Sequence, residues 1–153
     1  MIHKLNISVI LLIPLFICSC EKLARNSIVG VWAATDYVLT NSVDGAIMPK
    51  TPKIDEEFNK WHKGSTIEFF SDGTAAMNHN PDHNLQYSIQ GNNISITAPK
   101  LTNLDYPFEI TIRKENEKLV TVNYNICDYF DDGGVAYPGH MVYLDWILTR
   151  TVE

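Results

Sequence analysis

The chain is poor in basic side chains, in cysteine and in recognisable catalytic motifs. It carries 12 Lys and Arg against 18 Asp and Glu, a net charge of −6. A nucleic-acid partner is excluded on this ground, because phosphate binding needs a basic surface. The acidic residues are spread along the chain and form no acidic tail. Cysteine occurs three times in 153 residues, twice within the first twenty, which is too little for a disulfide framework. There is no nucleophile elbow, no phosphate-cradling Gly-rich loop and no paired His–Cys spacing. Glu56 and Glu57 fall on a predicted helix and read as solvated. The expectation is therefore a protein that is not an enzyme and uses no cofactor. Long apolar runs are also missing: residues 5–17 fall short of the roughly 20 residues that a membrane-spanning helix needs.

That short run has the length of a secretory signal core. It follows Lys4 and precedes Ile17-Cys18-Ser19-Cys20, which resembles the bacterial lipobox: aliphatic, variable, small, Cys. The resemblance implies cleavage before Cys20 and lipid attachment to its thiol. Residues 1–19 are then a lipoprotein signal peptide, 20–27 a lipid-anchored polar tether and 28–153 the folded domain. The expected location is the bacterial cell envelope, with the membrane as a partner through more than one acyl chain on Cys20. The mature chain would retain Cys127 as its one free thiol, read as a small buried hydrophobe. Without residues 1–19 the 153-residue chain keeps 134, enough for one domain with its own core.

From Ile28 the pattern is strand after strand. Eight strands are predicted over residues 28–39, 65–71, 74–79, 85–90, 94–98, 108–114, 119–126 and 140–150. Asp72-Gly73 predicts a type I′ hairpin turn. Alternation assigns the faces. Phe108, Ile110 and Ile112 oppose Glu109, Thr111 and Arg113. Val120, Val122 and Tyr124 oppose Thr121 and Asn123. Val142, Leu144, Trp146 and Leu148 oppose Tyr143, Asp145 and Thr149. Leu85, Tyr87 and Ile89 share a face, as do Ile94 and Ile96. One dry and one wet face on each strand implies an antiparallel sheet. Eight strands joined mostly by short turns predict an all-β, eight-stranded up-and-down barrel, with a two-sheet sandwich as the competitor. Three links are longer: 40–64, 99–107 and 127–139. The first holds a short predicted helix at 54–61, with Pro52 in its first turn, Asp55–Glu57 at the positive end of its dipole, and Ile54, Phe58 and Trp61 on one face. That stripe should lie on the barrel as a lid or plug.

Gly30-Val31-Trp32 opens the first strand and Arg150 ends the last. They resemble the Gly-x-Trp motif and the Trp-stacking Arg of the lipocalins. With the strand layout, the resemblance to lipocalin-like domains of small bacterial lipoproteins covers residue 27 to the end. It implies that Gly30, Trp32 and Arg150 close one end of the barrel, with guanidinium over indole. The family's second motif, Thr-Asp-Tyr, lies late in the barrel. Here Thr35-Asp36-Tyr37 falls in the first strand and the late match is Cys127-Asp128-Tyr129, which points to a divergent bacterial relative.

The resemblance also implies a cup for a small hydrophobic or amphipathic molecule. Candidate ligand-binding residues are Trp32, Asp36, Phe69, Tyr87, Tyr124 and Trp146, with Ile89 and Phe108 also inward. Asp36 shares parity with Trp32 and Ala34; it would serve as a polar anchor, or lie at the open rim in water. Because most inward residues are large, a filled barrel is an equal expectation. The alternative function is then a protein-interaction module, of inhibitor or immunity type, gripping an envelope or extracellular protein through its aromatic loops. His79, Asp82 and His83 are metal-ligand types, as are Asp131, Asp132 and His140, but both groups read as polar loop and no metal is assigned.

Overall fold

The computed structural model describes residues 26–98, 108–130 and 133–151. The signal segment 1–19, Cys20, most of the tether, link 99–107, Asp131 and Asp132 lie outside the described residues.

Among the described residues from Gly30 onward, strong β-formers separated by Gly, Asn and Asp turns produce ten strands and one helix. They are β1 (Gly30–Asn41), β2 (Ile47–Met48), α1 (Pro52–Trp61), β3 (Thr66–Phe69), β4 (Thr74–Met77), β5 (Asn80–Gln90), β6 (Asn93–Ala98), β7 (Phe108–Glu115), β8 (Lys118–Val122), β9 (Asn125–Phe130) and β10 (Ala136–Arg150). Eight of them close an antiparallel barrel, as the alternation predicted. Neighbours in sequence pair from β3 to β8, β8 pairs with β10, and β10 returns to β1 from Trp32↔Arg150 to Asn41↔Val142. Closure leaves the barrel strands without a free edge. The two extra strands are short companions: β2 lies beside the upper part of β1, and β9 continues the line of β8 along β10.

The turns differ in one respect from expectation. Gly73 has φ +93 but Asp72 stays at negative φ, so this is not a type I′ turn, which needs both central residues left-handed. The Asp72 carboxylate instead accepts the Thr74 N–H at 2.9 Å and the Thr74 hydroxyl at 2.6 Å. Competition from this local side-chain bond sets the turn. The two-residue left-handed geometry occurs at Asn78-His79, with φ 51 and 56, between the paired Met77 and Asn80. The segment from His79, read as a polar loop, is therefore a tight turn followed by strand.

Inward faces follow the predicted alternation on β5, β6, β7 and β10: Leu85, Ile94, Ile96, Ile110, Ile112, Val142, Leu144, Trp146 and Leu148 are all buried. On β8 the alternation is inverted. Register pairs Ile112 with Thr121 and Lys114 with Leu119, and opposed residues share a face. Leu119 therefore points into the core, and Val120 and Val122 face an outer groove.

Two bulges flank β10 at one level. In β1 the register slips between Ala34 and Asp36, opposite Leu148 and Ile147. Across β10, β8 ends at Val122 and β9 resumes at Asn125, opposite Leu144. Bulges re-aim the side chains that follow them, and here both neighbours of β10 break register within a few residues of one another. Beyond this level the β1–β2 and β9–β10 hairpins rise as an extended wall on one side of the mouth, and α1 packs against that wall and across the core. Pro52 starts the helix after Thr51, and Ile54 and Phe58 are its buried residues. Trp61 does not complete the stripe; it is 67% exposed, with Lys60 Nζ over its ring. His62 takes the inward role instead, because it has left helical geometry and turns its ring onto Phe58 and Trp146.

Candidate functional site

The barrel has two ends of different construction. At the closed end the chain enters beneath Trp32. Gly30 adopts φ +126, where an added Cβ would meet no neighbour, so the glycine is required by backbone conformation rather than by space. This bend brings the Ile28 carbonyl to within 2.7 Å of Trp32 Nε1, which donates to it. Arg150 lies 5.0 Å from the Trp32 ring centroid, and its guanidinium donates to the Ser27 carbonyl at 2.8 Å. Lys114 Nζ donates to the Ser27 hydroxyl at 2.9 Å. Phe69, paired with Gly30, meets Tyr87 edge-on at 5.1 Å, and the Tyr87 hydroxyl donates to the Phe70 carbonyl at 2.7 Å. The buried polar atoms named here all have partners.

The other end lies beneath α1. Tyr37 packs on Phe58 at 4.8 Å, and its hydroxyl donates to Asp55 on the helix at 2.6 Å. Burial and this bond push the Tyr37 hydroxyl well above the usual phenol range. Trp146 meets the Tyr124 ring edge-on at 5.0 Å and the His62 ring at 5.5 Å. Burial pushes the Tyr124 hydroxyl up and the His62 ring down, the latter against the pull of Glu57. Cys127 is half-buried and packs against the core; burial first, then Glu57 and Asp128, push its thiol up. Here polar atoms are left over. Trp146 is only 4% exposed, yet its Nε1 has no hydrogen-bond partner, and the buried Asn125 Nδ2 and Thr51 Oγ1 share that condition. An unmet buried donor costs about 1–3 kcal/mol.

The two bulges explain how these groups converge. Between β8 and β9 the backbone ladder is interrupted and side chains complete it. Trp146 N–H donates to Thr121 Oγ1 at 2.8 Å, while the Thr121 hydroxyl and Tyr124 N–H donate to Asp145 Oδ1 at 3.3 and 2.9 Å. Burial pushes the Asp145 carboxyl up against these bonds, which favour the charged form. The skipped residues return Tyr124 to the interior against Trp146 and turn Asn125 to the face of Leu144.

The six candidate ligand-binding residues therefore do not form one site. Trp32, Phe69 and Tyr87 belong to the closed end, and Tyr124 and Trp146 to the helix end. Asp36 belongs to neither. The β1 bulge gives the inward slot to Tyr37 and sends Asp36 outward, where it is 55% exposed and paired with Lys50. Burial would raise its carboxyl, but the bonds from Lys50 and the Tyr37 amide hold it below the usual range. Sequence parity missed Tyr37, His62 and Asn125. An inserted residue reverses parity, and nothing in the local composition marks where it falls.

Three hollows bounded by described residues lie outside the barrel. One of about 550 Å³ runs along the outer wall past Val38, Val120, Val122, Asp145 and Ile147. One of about 540 Å³ lies at the closed end between Trp32, Lys114, Lys118 and Arg150. A smaller one of about 150 Å³ adjoins Ile28 and Ile94. Among the described residues no group of three metal-ligand side chains converges. His79 sits in its turn 3.7 Å from Glu68, and the Asp82 and His83 side chains are outside the description. Among those residues, too, no helix is long and apolar enough to cross a membrane.

Comparison of the chain with protein-family models, with curated proteins and with solved structures found no match.

Proposed function

We propose that the protein is a membrane-anchored, lipocalin-like binding module that takes a small hydrophobic or amphipathic molecule beneath α1. The observation that carries this reading is the unpartnered Nε1–H of Trp146, buried among Tyr124 and His62 under a removable element. Two buried apolar side chains and one phenol–carboxylate bond tie α1 down. Burying each such side chain contributes about 1.5–3 kcal/mol, a cost that a ligand's own apolar burial can offset. The anchor is the lipid proposed on Cys20. The chain enters the barrel at the closed end, beneath Trp32. A tether from Cys20 to Ser27 spans at most about 25 Å, so the closed end would face the bilayer and the helix end would point away from it.

Native mass measurement of the protein isolated from cells tests this. The expected result is an extra mass released on denaturation, beside a covalent lipid that Cys20→Ser removes together with membrane attachment. A ligand-free mass that persists after incubation with a cell-envelope lipid extract contradicts ligand binding. Unchanged attachment of Cys20→Ser contradicts the anchor.

A second reading, a protein-interaction module, is favoured by the exposed apolar residues. Val43, Ile47, Trp61, Ile126 and Val135 are 89, 79, 67, 56 and 64% exposed. These five belong to the hairpins and helix of the mouth, while the less exposed Phe70, at 37%, lies after β3.

A further inference from the structure

The helix end also indicates which chemistry its occupant carries. This inference rests on the ligand-binding reading above. We infer that the molecule bound beneath α1 presents a neutral hydrogen-bond acceptor, a carbonyl or ether oxygen on an apolar body, to the Nε1–H of Trp146 and the Nδ2–H of Asn125.

Three observations lead there. The first is the sign of the unmet groups. An indole nitrogen is only ever a donor, and the Asn125 atom left over is its amide nitrogen. Both ask for an acceptor. Asn125 pairs with Leu144, which lies two residues before Trp146 on the same face of β10.

The second is the surrounding charge. Asp55, Glu57 and Asp128 lie at this end, Asp55 bonded to Tyr37 and the other two close enough to act on Cys127. Of the lysines on and just before α1, Lys50 is engaged with Asp36 and lies over the Tyr37 ring, Lys53 faces Glu56 and Glu57, and Lys60 lies over the Trp61 ring. The two titratable rings on Trp146, Tyr124 and His62, are both shifted by burial toward their neutral forms. A carboxylate placed there would be buried without a countercharge, which is strongly unfavourable. A neutral oxygen meets the two donors and adds no charge.

The third is the contrast with Trp32. That indole occupies an equally buried position at 3% exposure and donates to the Ile28 carbonyl at 2.7 Å. The fold therefore supplies a neutral carbonyl to one buried indole and leaves the other without one. A ligand carbonyl at Trp146 would reproduce the bond that Trp32 makes internally.

The test uses the anchored protein in lipid nanodiscs, labelled with ¹⁵N at its three tryptophans. Each gives one indole N–H cross-peak, assigned with Trp61→Phe and Trp146→Phe. Acetophenone, ethylbenzene and benzoate are titrated, with affinities referred to the free aqueous concentration of each. Acetophenone should move the Trp146 indole proton downfield and leave that of Trp32 in place. It should bind roughly threefold to tenfold more tightly than ethylbenzene, the factor expected of one net hydrogen bond, and more tightly still than benzoate. Trp146→Phe should bring acetophenone down to the affinity of ethylbenzene. Equal binding of acetophenone and ethylbenzene, both perturbing Trp146 without a downfield shift, overturns the acceptor inference and leaves the site standing. Preferential binding of benzoate overturns it as well. If no probe perturbs Trp146, the site itself is refuted.

Discussion

Two tryptophans face the interior of this barrel, one toward each end, and their surroundings differ in kind. Trp32 is bonded through Nε1, covered by Arg150 and locked by the entering chain. Trp146 is equally buried but has its Nε1 unmet, with aromatic rings and a lightly held helix over it. The closed end is built as structure, with its polar groups paired locally. The helix end leaves donors to be satisfied by something else. Residues that bind are drawn from parts of a fold that can open locally, a role the proposed function gives to the helix end.

Substitutions at the two ends should separate them. Trp32→Ala removes the central side chain of the closed end and should cost about 3–5 kcal/mol in urea unfolding. A cost below that of Phe58→Ala would reverse the assignment of which end holds the barrel together. Phe58→Ala frees α1 from Tyr37 and should cost about 3 kcal/mol, the lower end of the same range, with faster amide exchange confined to the helix. Asp145→Ala strips the acceptor from Thr121 and the Tyr124 amide and should cost about 1–2 kcal/mol. Asp145→Asn keeps an oxygen there and should stay close to wild type, so an equal loss in both variants would show that charge, not the acceptor, matters. Arg150→Ala removes an exposed guanidinium over an indole and one hydrogen bond, for about 1 kcal/mol.

The smallest effect is that of pH. The folded His62 ring has a pKa below its ordinary 6.5. Between that depressed value and about 6.5 the unfolded chain binds more protons, so His62 lowers stability as pH falls below 6.5. Asp145 acts with the opposite sign: its raised folded pKa means that stability is lost as pH rises from 3.8 through that value. His62→Gln should flatten the slope just below pH 6.5 and leave the one governed by Asp145, as melting temperature against pH would show.

Much of this architecture was legible in the residues. Alternation located the eight strands, and Pro52 with the Ile54 and Phe58 spacing located the helix. Gly30-Val31-Trp32 and Arg150 marked the first and last barrel strands, which pair through Trp32 and Arg150. What was not legible depends on inserted residues. The bulge at Thr35 exchanged Asp36 for Tyr37 on the inside, and the break after Val122 brought Asn125 inward. A period of two carries no record of an extra residue unless a partner strand reveals it. On β8, Val120 and Val122 are the apolar pair in sequence, yet pairing with β7 turned Leu119 and Thr121 inward. The role of His62 was hidden for a related reason, since it depends on where the helix ends rather than on its periodicity.

The most direct measurement is native-state hydrogen exchange resolved along the chain, with and without an envelope lipid extract. The α1 amides should exchange by local opening while β6 and β7 exchange only with global unfolding, and the extract should slow α1 selectively. Equal protection of α1 and the barrel strands, unaffected by the extract, would contradict the proposed function.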